Sequence, residues 1–252
     1  MKSLIQQKLN EIEKSENCRI LLAVESGSRA WGFSSPDSDY DVRFIYARPK
    51  EKYLELNQSR DVIELPINET LDINGWDIDK TLRLVHKSNP TVFEWLSSPI
   101  VYKTTSFISA WRDIMQDYFS AKSSLWHYIR TAERNYHDHI KADMVVAKKY
   151  FYCLRPILAC NWIIDRNTIP PMLFSELAEA YLPEYLTESV NDILRIKRSS
   201  TEAQVIPKVD LINDYVLNSV KSVKGYIETL PKEEYRDWRE LNRVFLSAIG
   251  EV

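Results

Sequence analysis

Two aspartates one residue apart, Asp39 and Asp41, follow two of the chain's five glycines, Gly27 and Gly32. Side chains two residues apart on a strand project from the same face, so these carboxylates would lie about 7 Å apart along the chain. Two ionised carboxylates so close in a partly buried site repel each other unless a cation lies between them or one of them is protonated. Mg²⁺ prefers oxygen ligands and is often shared between protein carboxylates and substrate phosphates. The pair therefore predicts a divalent-metal site.

The segment SGSRAWG, which precedes the aspartates, has the residue types of a phosphate-binding turn. Gly27 permits a tight turn that exposes backbone N–H groups, Ser28 adds a hydroxyl and Arg29 adds a planar cation. A phosphate-binding turn that faces two metal-binding carboxylates is typical of active sites for phosphoryl or nucleotidyl transfer. The alternative is an ordinary strand-entry loop with solvated aspartates, which would need these residue types to coincide by chance.

The stretch GSRAWGFSSPDSDYDV resembles the signature of the DNA polymerase β-type nucleotidyltransferase superfamily. Two further stretches, LDINGWDIDKTLRLVHKSNPTVFEWLSSPIVY and KKYFYCLRPILACNWI, resemble the RNA-repair-pathway polymerase-β family, and the similarity extends over roughly residues 15–165. This resemblance implies transfer of an NMP from an NTP to an acceptor hydroxyl, with release of pyrophosphate. It also implies two Mg²⁺ ions, or Mn²⁺ in their place, held by Asp39, Asp41 and a third carboxylate on a neighbouring strand.

Two aspartates compete for the place of the third carboxylate. Asp72 lies inside the predicted strand LDINGW, whereas Asp77 stands where the next helix begins. The oxygens of an N-cap aspartate are engaged by backbone N–H groups, which leaves them less free to bind a metal or accept a proton. We therefore predict Asp72 as the third catalytic and metal-binding residue and as the acceptor of the hydroxyl proton, with Asp77 as its rival. In the same mechanism, Gly27, Ser28 and Arg29 are expected to neutralise the departing pyrophosphate.

Residues 121–155 hold seven basic residues against three acidic ones, in a chain whose net charge is −3. In the resembling family, KKYFYCLR looks like the helical-domain segment that closes over the triphosphate, which implies nucleotide contacts by Lys149, Tyr152 and Arg155. Four basic residues at intervals of seven predict a stripe on one helix, which either contacts a polyanion or is a solvated face: Arg134, Lys141, Lys148 and Arg155.

The predicted secondary structure that positions these residues differs between the first hundred residues and the rest of the chain. The first hundred residues contain strand-like patterns in RILLAVE, DYDVRFIYA, DVIELPI and TLDINGW, whereas helical spacing dominates afterwards. Together with the resemblance, this pattern predicts an α+β fold. Residues 1–102 are expected to form the nucleotidyltransferase domain, a mixed sheet with flanking helices. Residues 103–252 are expected to form an all-helical domain that closes on nucleotide and acceptor.

The composition is that of an ordinary globular protein, with 44% hydrophobic and 27% charged residues. Three cysteines without a CxxC pair predict neither a disulfide framework nor a cysteine metal site. No stretch suits a bilayer span or a signal peptide, so we expect a cytoplasmic protein without membrane contact. The expected partners are an NTP and an RNA end, with a small molecule or a protein as the alternative acceptor. The alternative function is an inactive nucleotide- or RNA-binding module of the same fold.

Overall fold

The computed structural model of the protein describes residues 1–57, 59–66, 70–232 and 236–250, with Ala110 as backbone only. Within these ranges, no helix combines the length and the apolar character that crossing a bilayer requires. The strands are β1 (Arg19–Glu25), β2 (Tyr40–Ala47), β3 (Val62–Glu64), β4 (Leu71–Asp77), β5 (Val101–Thr104), β6 (Met144–Val146) and β7 (Val205–Pro207).

The α-helices are α1 (Lys2–Ser15), α2 (Gly27–Ala30), α3 (Ile78–His86), α4 (Pro90–Leu96), α5 (Ser106–Ile114), α6 (Ala121–Asn135), α7 (Lys148–Arg166), α8 (Phe174–Tyr181), α9 (Thr187–Ser199), α10 (Asp210–Thr229) and α11 (Arg239–Gly250). Short 3₁₀ turns lie at Lys50–Tyr53, Met115–Tyr118 and Glu184–Leu186, and a π-helical turn lies at Tyr136–Ile140. The chain divides into two compact units. The first comprises Met1–Ala30, Asp39–Tyr118 and Tyr235–Val252, and the second comprises Trp31–Ser38 and Phe119–Glu234.

The first unit is built on a five-stranded mixed sheet in the order β3-β4-β2-β1-β5. β2 and β4 run parallel, and the other neighbouring strands run antiparallel. β1 is buried on both faces because its five central residues are apolar, whereas buried and half-buried residues alternate along β4. The mixed sheet predicted for this part of the chain is confirmed.

Helices cover both faces of this sheet. Ile5, Leu9 and Ile12 are buried along one side of α1, at the spacing of an amphipathic helix, and belong to the same apolar cluster as Val42 of β2. Complete burial of side chains of this size contributes roughly 1.5–3 kcal/mol each. On the opposite face, Trp76 of β4 stacks with Trp95 of α4, with their ring centroids 4.0 Å apart. The strand ends are therefore the places where polar side chains can gather.

The second unit is mostly helical. Its apolar core combines residues of α6, α7 and α10, among them Ile129, Leu158 and Val216. β6 and β7 form a two-stranded antiparallel ribbon beside this core. The helical character predicted for residues 103–252 is observed, with this ribbon as the difference from an all-helical domain.

The segment Trp31–Ser38, which lies between the two halves of the glycine and aspartate motif, is anchored in the second unit. Phe33 is buried and its ring lies 4.8 Å from that of Phe151. The buried Lys197 donates from Nζ to Ser35 Oγ at 3.1 Å, and Ser38 Oγ donates to Glu202 at 2.7 Å. The motif therefore contributes residues to both units.

The strands predicted over 19–25, 39–47 and 70–76 are confirmed. The strand predicted over 61–67 is shorter, because only Val62–Glu64 pairs with β4, and Ile67 lies outside the described residues. The observed division also differs from a boundary after residue 102. Val101–Thr104 pairs with β1, so the expected junction falls inside the sheet, and the first unit continues to Tyr118.

The prediction of a basic stripe on one helix is wrong. α6 ends at Asn135, and the π-helical turn and β6 separate it from α7. The β-branched residues Val145 and Val146 pair with β7, a contact between distant parts of the chain that overrides the local helical spacing. Within the former stripe, Lys148 pairs with Glu202 and Arg155 is only 3% exposed.

Candidate active site

Asp41 and Asp72 stand opposite each other in the parallel pair of β2 and β4. Arg43 joins them, because its Nη2 donates to Asp41 Oδ1 at 3.1 Å and to Asp72 Oδ2 at 2.6 Å. Asp41 and Arg43 are two residues apart on one face of β2, and the register of β4 places Asp72 beside them. Two of the three predicted metal ligands are thus brought together around one guanidinium.

Asp39 lies just before β2 and is exposed to solvent. Its backbone carbonyl accepts a hydrogen bond from Arg29 Nε at 3.1 Å. The guanidinium carbon of Arg29 lies 3.8 Å from the ring centroid of Tyr40, which is a cation–π geometry. Arg29 is therefore held over the backbone between the two motif aspartates.

Gly27 adjoins the carboxylate of Asp41. Its φ of +58° is in the left-handed region, and a Cβ atom at this position would lie 2.1 Å from Asp41 Oδ2. The preceding residue, Ser26, donates its backbone N–H to the Asp41 carbonyl at 2.8 Å. Ser28, the next residue, is buried. The glycine turn and the carboxylate form one packed arrangement, which only a residue without a side chain permits at position 27.

Glu25 is a fully buried carboxylate next to this arrangement. Its Oε1 accepts the backbone N–H of Asp41 at 2.8 Å, and its other oxygen accepts the Tyr102 hydroxyl. Burial raises the pKa of Glu25, while these two hydrogen bonds oppose the rise. Glu25 therefore fixes the backbone from which the Asp41 side chain projects.

Asp77 lies away from this arrangement, at the other end of β4 from Asp72. Alternation along the strand also directs the two side chains to opposite faces of the sheet. Asp77 is buried, caps α3 by accepting the backbone N–H of Asp79 at 2.9 Å, and accepts the Tyr53 hydroxyl. Burial raises its pKa to about 6. Its predicted role as an N-cap is confirmed.

We expect the substitution Asp77→Asn to change how stability depends on pH. Because the folded-state pKa of Asp77 is raised from 3.8 to about 6, the native protein binds more protons than the unfolded chain in this interval. This difference in pKa contributes roughly 3 kcal/mol to the free energy of unfolding below the unfolded-state pKa of 3.8. The contribution is lost as pH rises through the folded-state pKa of about 6. Asparagine keeps the capping acceptor without the charge. Between about pH 4 and pH 7, the free energy of unfolding of the variant should therefore rise relative to that of the wild type. Urea denaturation at each pH measures both values.

Asp79→Asn is the matched control for this experiment. Asp79 lies in the first turn of the same helix, has 44% of its side chain exposed and pairs with Arg83. The Asp79→Asn variant keeps Asp77, so its stability should keep most of the wild-type trend with pH, because burial is the main cause of the raised pKa of Asp77 and the charge of Asp79 is a minor one. Parallel stability curves for the wild type and Asp77→Asn would contradict the assignment of a raised pKa to Asp77.

The donor set suits Mg²⁺ through Asp41 and Asp72. Among the residues that the structure describes, no three His, Cys, Asp or Glu side chains are arranged to hold a metal ion. Asp41 and Asp72 nevertheless place carboxylate oxygens around one cationic group. Mg²⁺ commonly takes only one or two protein carboxylates and completes its shell with water and substrate phosphate. The residues present therefore fit the ion as a two-carboxylate site, with the exposed Asp39 nearby in sequence.

The remaining predicted nucleotide contacts lie on α7 in the second unit. Lys149 Nζ is 3.1 Å from His139 Nε2 and 5.1 Å from the ring centroid of Tyr152. Burial lowers the pKa of Lys149, and the charge of its basic neighbour acts in the same direction. Arg155 is buried, with its guanidinium carbon 4.8 Å from the ring centroid of Trp31. Lys149 and Tyr152 are half-buried and form one local cluster.

Sequence reasoning did not identify Arg43 or Glu25 as residues of the site. The signal for Arg43 was its position two residues after Asp41, on the same face of the strand. The signal for Glu25 was its place as an acidic residue at the end of the apolar run RILLAVE, directly before the glycine turn. Neither signal specifies a partner, because the partners come from strand pairing.

Comparison with known proteins identifies the family. The model of the RNA repair pathway DNA polymerase beta family matches residues 1–247. The chain belongs to this family. Membership places it among polymerase-β-like nucleotidyltransferases, in agreement with the glycine turn and the aspartate pair, and extends the resemblance well beyond residues 15–165.

Two individual proteins are similar to this member of the RNA repair pathway DNA polymerase beta family. Uncharacterized protein YcgL of Bacillus subtilis (strain 168) is 44% identical over 254 residues, which cover 100% of this chain and 98% of that protein. A nucleotidyltransferase-like protein from Exiguobacterium sibiricum 255-15 is 13% identical, over 98% of this chain and 90% of that chain, with a TM-score of 0.29.

Proposed function

We propose that this protein is a metal-dependent nucleotidyltransferase that transfers an NMP from an NTP to an acceptor hydroxyl, with an RNA end as the favoured acceptor. The observation that supports this proposal most directly is the pairing of Asp41 with Asp72 beside the Gly27 turn. Two carboxylates and a glycine turn meet there at one end of two parallel strands. Family membership supports the same reaction class.

Asp41 and Asp72 would hold Mg²⁺, or Mn²⁺ in its place, and Asp39 would complete the carboxylate set. The bound metal would neutralise phosphate charge and lower the pKa of the acceptor hydroxyl. The geometry favours Asp72 over Asp77, because Asp77 lies at the opposite strand end with its oxygens engaged as a helix cap.

The residues of the site have separate roles in the transfer step. The acceptor oxygen forms a bond to the α-phosphorus, the bond to the bridging oxygen breaks, and pyrophosphate leaves with that electron pair. Asp72 accepts the proton of the acceptor hydroxyl. The Gly27 backbone, Ser28 and Arg29 neutralise the pyrophosphate as it leaves. Glu25 holds the strand backbone that orients Asp41.

In the second unit, we assign Lys149 and Tyr152 as nucleotide contacts, through a charged amine and an aromatic face. Arg155 is buried, so in this proposal it supports the ring of Trp31 and acts on the nucleotide only indirectly. An RNA end is favoured as the acceptor by the family membership. A small-molecule or protein hydroxyl is the alternative.

The second candidate is a nucleotide- or RNA-binding module without turnover. The observation that favours it is the engagement of both Asp41 and Asp72 by Arg43. Such a module would bind an NTP without releasing pyrophosphate.

A transfer assay separates the two candidates. The protein is incubated with each α-labelled NTP, Mg²⁺ and short RNAs that carry a free 3′ hydroxyl, and both labelled RNA and pyrophosphate are measured. Incorporation with stoichiometric pyrophosphate supports the proposal. Tight NTP binding without pyrophosphate release, for every NTP and also with cell extract as the acceptor source, would support the inactive module.

A further inference from the structure

Arg43 is held at the centre of the candidate site by several contacts. Besides its ion pairs with Asp41 and Asp72, it donates from Nη1 to the backbone carbonyls of Asp72 and Val42, each at 3.2 Å. Its side chain is only 19% exposed. These contacts engage both ends of the guanidinium fork and hold it between the two strands in this structure.

The position of Arg43 has an electrostatic consequence. Without a cation, the carboxylates of two directly opposed residues on neighbouring strands would repel each other. One guanidinium neutralises both through direct hydrogen bonds. Arg48, just beyond the other end of β2, pairs with the single carboxylate of Glu16 and is similarly buried, with 12% of its side chain exposed. Arg43 differs from Arg48 because it pairs with two carboxylates, and these are the two that would bind the proposed metal.

We infer that Arg43 is an internal counter-cation of the metal-free protein, which occupies Asp41 and Asp72 until a divalent cation displaces it. This inference rests on the proposed function, since it concerns the same carboxylates. Binding of the metal and pairing with Arg43 compete for Asp41 Oδ1 and Asp72 Oδ2. Arg43 therefore sets the metal concentration at which the site fills and stabilises the sheet while the site is metal-free.

The test measures Mn²⁺ binding to the metal-free, full-length protein by electron paramagnetic resonance and calorimetry, and the unfolding midpoint with and without Mg²⁺. Arg43→Gln removes the charge, Arg43→Lys keeps the charge without the planar fork, and Arg48→Gln is the matched control. Arg43→Gln should bind Mn²⁺ about tenfold more tightly, which corresponds to about 1.4 kcal/mol, because two partly exposed ion pairs no longer have to break when the ion binds. Arg43→Lys should fall between this variant and the wild type, and Arg48→Gln should match the wild type.

Stability provides a second measurement, which also covers the case of a poorly folded variant. Without metal, Arg43→Gln should unfold a few degrees below the wild type, and Mg²⁺ should raise its midpoint more than it raises that of the wild type. An arginine that only supports packing would not produce metal-specific rescue. If the wild type binds Mn²⁺ and both Arg43 variants bind it no more tightly, the inference is wrong while the proposed function stands. If neither the wild type nor Arg43→Gln binds Mn²⁺, both are overturned.

Discussion

Replacement of Asp41 by asparagine is expected to lower NMP transfer by roughly 10³-fold, since it removes a negatively charged ligand of the metal that would neutralise the phosphates. One oxygen of the Asp41 carboxylate faces Gly27 and the other accepts Arg43, so the shape of the side chain is retained in the variant while the charge is lost. The change in stability should be small, about 1 kcal/mol or less, because the ion pair with Arg43 is partly exposed. Initial rates of labelled NMP incorporation and the urea midpoint measure the two effects separately.

Asp61→Asn is the matched control for Asp41→Asn. Asp61 is an exposed aspartate of the same unit that pairs with Lys80 at 3.2 Å. Its substitution should leave the rate of NMP transfer within a factor of about two of the wild type. If Asp41→Asn retained more than about a tenth of wild-type activity, Asp41 could not be a principal ligand of the catalytic metal.

Gly27→Ala is expected to lower NMP transfer by about 10²-fold or more. The new Cβ would lie 2.1 Å from Asp41 Oδ2, so either the carboxylate or the turn must move. A displacement of about 1 Å is sufficient to cost 10²-fold in rate. The left-handed φ of +58° adds strain of roughly 1–2 kcal/mol, which should appear as a lower unfolding midpoint. Steady-state kinetics and thermal unfolding check the two parts.

Gly225→Ala separates this site effect from a general effect of alanine. Gly225 lies in α10, and a Cβ atom there meets nothing within 4 Å. In a helix, the change should stabilise the protein by up to about 1 kcal/mol and leave the transfer rate unchanged. Wild-type kinetics for Gly27→Ala would show that the close contact between the turn and Asp41 is not needed for the reaction.

The strands around the candidate site follow from local sequence patterns. RILLAVE is apolar at its five central positions and forms a buried strand, and DYDVRFIYA alternates and contains β2, with Asp41 and Arg43 on one face. The cap by Asp77 also follows locally, because a side-chain oxygen next to a helix start needs only a neighbouring backbone N–H. Each of these features depends on residues a few positions apart.

The predictions that failed or changed are those in which distant segments decide the outcome. The basic stripe is interrupted because Val145 and Val146 pair with residues some sixty positions later in the chain. The junction expected near residue 102 falls inside the sheet because β5 pairs with β1. Helical spacing and a change in composition contain no information about such partners.

The sequence by itself determined the residues on which the proposed chemistry rests: a glycine turn, two aspartates at the start of a strand and a candidate third carboxylate, all set by residue types and short spacings. Only the tertiary structure decided which carboxylates meet, because the register of β2 against β4 places Asp72 opposite Asp41 and leaves Asp77 at the far end. It also supplied Arg43 and Glu25 as partners of the site. The physical reason is that strand alternation and capping are local, whereas strand register is set by packing between segments far apart in the chain.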